Sequence, residues 1–187
     1  GKDKSKKKMY VVNQEEEIIL MRLALEQYTG IVVAQPELTI IGNPDFDADM
    51  MIRIKEDSKC RLTIRNVRLT GRDEIPCIEV GHNAELTLVI EETNGLDVTG
   101  IRVPQDSKLI LEGGGDLKIT TKGFDGYGIG NDPGSHFGTI ISKMSGGLFI
   151  STEGNKCIGI GGGYACDSSR IEIHGGKVEV NVASVDG

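Results

Sequence analysis

Residues 109–121 read Leu109-Ile-Leu-Glu-Gly-Gly-Gly-Asp-Leu-Lys-Ile-Thr-Thr121. Two short segments alternate apolar and polar residues, and a glycine triplet separates them. A period of two over so few residues describes a strand with one buried face and excludes an amphipathic helix. The phrase repeats in both directions: Leu62-Thr-Ile64, Leu86-Thr-Leu88, Leu109-Ile-Leu111, a weaker copy from Ile140, and Ile171-Glu-Ile173, at spacings of 24, 23, 31 and 31 residues. A second short strand follows each copy: Val67 to Leu69, Leu96 to Val98, Leu117 to Ile119, Leu148 to Ile150 and Val178 to Val182. A third closes most of them: Ile78-Glu-Val80, Ile101-Arg-Val103, Tyr127-Gly-Ile129 and Ile158-Gly-Ile160.

No single strand of this kind buries its apolar face alone. Stacking the repeats along an axis does so, with strands ~4.8 Å apart in three parallel sheets. The expected fold is all-β: a right-handed parallel β-helix, or solenoid, of about five to six three-strand rungs. The glycines fit this geometry, because turns between sheets need positive φ. Gly113 to Gly115, Gly146-Gly147 and Gly175-Gly176 fall at the same corner of three successive rungs. Of the 26 glycines, 5 lie in residues 1–94 and 21 in 95–187.

The chain of 187 residues is long enough for one such domain. No apolar run approaches ~18 residues, so a membrane span is excluded. Net charge is −7, of which the opening GKDKSKKK supplies +4, leaving −11 for the rest. An acidic body argues against nucleic acid as partner, since that affinity comes from neutralising phosphates. Residues 1–9 read as a disordered basic leader; contact with an acidic polymer is the alternative. No apolar segment follows it, so it is not a signal peptide.

Residues 10–30 read as a strand and a capping helix. Asn13 would be its N-cap, Glu15 to Glu17 its acidic first turn, and Gly30 the residue after its end. Its role would be to cover the open end of the stack. The β-helix then occupies residues 31–187. No cap sequence follows Val178 to Val182, so the expectation is a longer native chain, with end-to-end homo-oligomers as the alternative. Aligning the rungs puts Cys77 level with Gly100, Gly128 and Cys157, three rungs from the latter and beyond disulfide reach. Cys60, Cys77, Cys157 and Cys166 are expected to be free thiols, which suits a reducing cytoplasm or an anaerobic habitat.

Two stretches carry candidate chemistry. Asp45-Phe-Asp47-Ala-Asp49 places three carboxylates on a loop, with Glu56 at the twelfth position, as in a calcium-binding loop. Met50 stands where that loop needs Gly, so an acidic turn is the competing reading. Residues 123–137 form the longest glycine-rich insertion and gather Asp125, Tyr127, Asn131, Asp132 and His136. A sugar site pairs such carboxylates and amides with a stacking ring, here Phe124, Tyr127 or Phe137. The same residue types also simply build turns. His82, His136 and His174 occupy different rung positions and form no catalytic grouping.

Tyr10-Val-Val-Asn-Gln-Glu-Glu-Glu-Ile18, with Gly30-Ile-Val-Val33, resembles the capping segment of pectate-lyase-like right-handed β-helix proteins. Gly126-Tyr-Gly-Ile-Gly-Asn131, Gly159-Ile-Gly-Gly-Gly163 and Ile171-Glu-Ile-His-Gly-Gly-Lys-Val-Glu-Val180 are similar to glycine-rich repeats of large bacterial cell-surface proteins, often labelled carbohydrate-binding or adhesin-like. The resemblance implies a secreted or cell-surface location and a polysaccharide or surface-protein partner. Polysaccharide lyases of this fold use an Arg or Lys base with acidic Ca²⁺ ligands, which singles out Glu79 and Arg102, with Arg68 nearby. An ionic pair across rungs is the favoured explanation of Glu79 and Arg102. The expected role is therefore non-enzymatic: a surface module that binds glycan or another surface, or a rigid spacer. A polysaccharide lyase or hydrolase, and a self-assembling structural solenoid, are the alternatives.

Overall fold

The computed structural model describes residues 7–72, 74–122, 126–152, 158–161, 170–173 and 175–182. The chain winds through successive turns. Turn 1 holds β1 (Met9–Val12), β2 (Glu17–Ile19) and the helix α1 (Leu20–Leu25); turn 2 holds β3 (Gly30–Val33) and β4 (Glu37–Ile41). Turn 3 holds β5 (Met51–Ile54), β6 (Lys59–Arg65) and β7 (Arg68–Thr70); turn 4 holds β8 (Ile78–Glu79), β9 (Glu85–Glu91) and β10 (Thr93–Val98). Turn 5 holds β11 (Ile101–Arg102), β12 (Lys108–Glu112) and β13 (Asp116–Thr121). Turn 6 holds β14 (Tyr127–Gly130), β15 (Thr139–Ser142) and β16 (Gly147–Thr152), and turn 7 holds β17 (Ile158–Gly161), β18 (Arg170–Ile173) and β19 (Lys177–Val182).

The first strands of all turns form sheet A and the second strands form sheet B, with seven strands each; the third strands form sheet C, with five. The ladders between turns are parallel. The protein is a parallel β-solenoid with five complete three-strand turns, and two further turns at the N-terminal end lack a third strand.

Alternation puts one aliphatic column after another inside. In sheet A, Ile31, Ile52, Ile78, Ile101 and Ile129 stack in register and are fully buried. Leu69, Leu96, Ile119 and Ile150 do the same in sheet C. Each such side chain contributes about 1.5–3 kcal/mol by burial, and each makes contact with its own kind one turn above and below. That mutual burial holds the stack together.

Three local expectations come out differently. Leu62 pairs with Leu88, not Leu86, and Cys60 stands opposite Leu86. A slip of two residues keeps the same face inward, so the repeated Leu-Thr phrase does not define the register. In sheet A, Ile129 pairs with Ile160, so Gly159, not Cys157, is level with Gly128 and Cys77. Cys60 and Cys77 are free and buried; Cys157 and Cys166 lie outside the described residues. The helix is six residues long and starts after Ile19, with no side-chain cap. Glu17, Ile18 and Ile19 instead pair with β4, because β-branched residues alternating about a buried Ile18 satisfy a strand. Leu20 and Leu23 anchor the helix in the core.

Candidate functional site

The candidate residues distribute over two faces, those of sheets A and C. On sheet A, Arg53, Glu79 and Arg102 occupy one outward column on successive turns. Arg53 Nε donates to Glu79 Oε1 at 3.1 Å, and Arg102 Nη1 donates to Glu79 Oε2 at 2.7 Å. Arg102 also donates from Nε to the Tyr127 hydroxyl at 3.0 Å, and from Nη2 to the Glu74 carbonyl at 3.0 Å and to Asp132 Oδ1 at 3.0 Å. Four of the five guanidinium N–H bonds thus have partners.

This cluster joins residues that the chain presents separately. Glu79 and Arg102 come from short strands, whereas Tyr127 and Asp132 come from the glycine-rich insertion. Arg102 meets Glu74 on one side and Asp132 on the other, so it ties together the segment 74–76 and the loop 131–138 at the outer face of sheet A. Asn131 strengthens the second loop: its Nδ2 donates to the His136 carbonyl at 2.7 Å, and its Oδ1 accepts from the Asp132 backbone N–H at 2.8 Å. Phe137 is buried beneath that loop against the position of Gly161. Asp125 and Phe124 lie outside the described residues, as does His174.

Electrostatics agree with a closed structural cluster. Burial pushes the Arg102 pKa down, but the facing Tyr127, Asp132 and Glu79 outweigh it and hold the pKa above its ordinary value. Burial raises the Tyr127 phenol, and Arg102 only partly offsets this. A guanidinium so held stays protonated and has little donor capacity left for a ligand.

Arg68 is not part of this cluster. It projects from sheet C, where its Nε donates to Asp47 Oδ1 at 2.8 Å. Arg72 Nη2 similarly reaches Asp49 Oδ2 at 3.2 Å. Asp45 takes part through its backbone N–H, which donates to Asn43 Oδ1 at 2.9 Å. The acidic loop therefore meets two arginines from the next turn. Among the described residues, no group of three or more His, Cys, Asp and Glu side chains is arranged to hold a metal ion.

The outer face of sheet C is more open. Its middle column runs Arg68, Gly95, Lys118, Phe149 on successive turns. The column beside it runs Thr70, Asp97, Thr120, Ser151. Gly95 leaves a gap between two cationic side chains; a Cβ there would meet nothing closer than a backbone oxygen at 3.9 Å. The gap lies in a groove of about 250 Å³ that extends from Asp47 in turn 2 to Lys122 in turn 5. Lys122 Nζ pairs with Asp97 Oδ2 at 3.1 Å, whereas Lys118 is exposed and has no ion pair among the described residues. A sequence signal for this groove did exist: one glycine, Gly95, replaces the outward side chain of an otherwise regular strand.

Fold and surface together define a parallel β-solenoid protein. No family profile, curated protein or solved structure matches the chain. Among the described residues, no helix is long and apolar enough to cross a membrane.

Proposed function

We propose that the protein is a non-enzymatic solenoid module, secreted or surface-exposed, that binds glycan or presents other domains on a rigid stalk. The observation that carries this reading is Arg102. The residue best placed to be the base of a polysaccharide lyase spends its donors on Glu79, Tyr127, Asp132 and the Glu74 carbonyl. A general base must be able to release its proton and reach a substrate; a clamp of this kind does neither. Arg68 lies on another sheet, and Asp47 and Asp49 of the acidic loop face arginines. A rigid column with one open polar face suits binding or spacing. The right-handed, pectate-lyase-like character of the coil rests on the residue resemblance and on the general preference of parallel crossovers for that hand.

A polysaccharide panel with Ca²⁺, read for bound complex and for cleaved product in the same wells, tests the reading. Binding without cleavage is the expected result. Cleavage would overturn it, and cleavage lost in Arg102→Gln would restore the lyase with Arg102 as its base.

A further inference from the structure

We infer that a pocket at the corner between sheets C and A, in the first turns of the solenoid, binds a small apolar monocarboxylate. The short alkyl or single-ring body sits among methionines, and the carboxylate meets Lys7 and Arg72. The site is separate from the glycan reading above and does not depend on it.

The pocket has a volume of about 70 Å³. Its walls come from successive passes of the chain: Lys7 and Met9 at β1, Asp49 to Met51 at β5, and Arg72 and Ile75 in the connection from β7 to β8. Register explains why a cavity lies here. One column of sheet A runs Met9, Gly30, Met51 on turns 1 to 3. On turns 5 and 6 the same column holds Gly100 and Gly128. Backbone fills the corner there, since a Cβ on Gly100 would stand 2.0 Å from the Gly128 carbonyl oxygen. In the first turns thioethers fill it instead. Met9 Cε and Sδ lie 2.6 and 2.7 Å from the place of a Cβ on Gly30, and Met51 Cγ lies 3.2 Å from it. Met50 and Met51 are buried, and Met9 and Ile75 are half-buried. Three of the five methionines of the chain therefore line one pocket. An unbranched thioether with three rotatable bonds reshapes itself around an apolar guest at little cost, where a wall of backbone cannot.

Size and charge select the ligand. Drug-sized molecules occupy pockets of ~300–1,000 Å³, so this one admits only a short alkyl chain or one ring. The charged residues of its lining are Lys7, Arg72 and Asp49, a net positive set on a chain of net charge −7. Lys7 is exposed and has no ion pair among the described residues. Arg72 spends one of its five guanidinium N–H bonds among the described residues, on Asp49 Oδ2 at 3.2 Å, whereas Arg102 spends four. The Arg72 fork thus keeps donors for a planar carboxylate, which it matches in two-point geometry. Its pair with Asp49 is exposed on both sides, so that carboxylate competes only weakly with a ligand. An amine would meet two like charges, and a neutral molecule would leave both cations unused.

The test is titration of the full chain with 3-methylbutanoate and phenylacetate, with phenylacetamide and 2-phenylethylamine as neutral and cationic matches. The readout is the NMR signals of the methionine ε-methyl groups. Dissociation constants of about 0.1–1 mM are expected for ligands so small. At least one carboxylate should shift Met9, Met50 and Met51 while Met21 and Met144 stay still, and phenylacetamide should bind at least about fivefold more weakly than phenylacetate. Arg72→Gln and Lys7→Gln change exposed side chains, so melting temperature should hold, and each should weaken the carboxylate about threefold or more without changing the amide. Asp49→Asn should tighten it, because a competing carboxylate is gone. If neither carboxylate moves the three methyl signals at up to about 20 mM, well above the expected constants, the inference is overturned. Shifts confined to Met21 or Met144 place the site elsewhere and overturn it too. Equal affinity for acid, amide and amine, or acid binding unchanged in both cation variants, overturns the anionic ligand class.

Discussion

The two ends of the solenoid turn the same corners with different chemistry. In turns 3 to 5, the corner between sheets A and B is made by Asp57, Asn83 and Asp106, at φ of 56°, 56° and 69°. These residues tolerate the left-handed conformation because their short polar side chains can bond locally, and here Asn83 Nδ2 donates to Asp57 Oδ1 of the turn below at 2.9 Å. The corner between sheets B and C uses Asn66 and Glu92 in turns 3 and 4, at 54° and 60°. In turns 5 and 7 a left-handed glycine takes that corner: Gly113 has φ 108°, and Gly175 and Gly176 have 69° and 71°; in turn 6, Gly146 and Gly147 are not left-handed, and Gly146 serves close approach to the Gly115 carbonyl. Other glycines of the later turns serve close approach instead. Gly100 and Gly128 lie level in sheet A, and a side chain on Gly100 would overlap the Gly128 carbonyl oxygen and the Ile119 Cγ2. The early turns are thus joined by side chains, and the later ones by backbones packed where side chains are missing. Substitutions at the left-handed Asn and Asp corners of the first region should be forgiven more readily than at Gly100 or Gly113, whereas Gly42 and Gly81 in the early turns are packed against backbone just as closely.

Several experiments break or sharpen that contrast. Gly100→Ala has the largest expected effect, a loss of about 3 kcal/mol in urea unfolding, because backbone and a buried isoleucine surround the new methyl. A loss below 1 kcal/mol would mean the later turns can spread apart. Arg102→Ala follows, at about 2–3 kcal/mol. That is somewhat less than the ~3–5 kcal/mol of a fully buried pair, since the side chain is 20% exposed. Hydrogen exchange should quicken in 74–76 and 131–138 together; acceleration of only one would show that the other segment does not depend on the clamp.

The thiols test burial in the early half. Burial, with a smaller contribution from Glu37, pushes Cys60 up to about 11, and burial pushes Cys77 up to about 12, from 9.0. Thiolate is the reactive form, so in a Cys157→Ser, Cys166→Ser background a disulfide reagent at pH 8 should label neither thiol until denaturant is added. The sign for stability follows from linkage: between pH 9 and about 11 the unfolded thiols ionise while the folded ones keep their protons. Their contribution is complete below pH 9 and declines as pH rises through that window. Labelling as fast as in the unfolded chain would contradict the buried positions. The smallest effect belongs to Asn83→Gly, expected within about 0.5 kcal/mol of wild type, because glycine takes the left-handed corner freely. Asn83→Val should instead cost about 1–2 kcal/mol. Equal effects of the two would show that φ at this corner is not the constraint.

Much of the coil was legible because its signals are local. The alternation around Leu96 and Leu117, the glycine triplet at 113–115 and the matching positions of Glu79 and Arg102 all emerge from short windows. The site was less legible. Tyr127 and Asp132 looked like ligand groups because polar residues clustered in one loop, and nothing within that loop reveals that Arg102 from the preceding turn occupies them. The calcium-like spacing of Asp45, Asp47 and Asp49 similarly says nothing about Arg68 and Arg72, which arrive from the next turn.

By itself, then, the sequence determined most of the strands of the stacked turns, which face turns inward and where the chain bends, since each depends on one residue and its near neighbours; Glu17–Ile19, which read as helix, is the exception. The stacked structure alone decided the register, the absence of a third strand in the first two turns and which outward charges pair across turns. A two-residue slip leaves the same aliphatics buried, so Leu62 could not choose Leu88 over Leu86 from its own pattern. An ion pair between turns forms only when loops of unequal length bring two side chains level, and that alignment exists only once the turns are stacked.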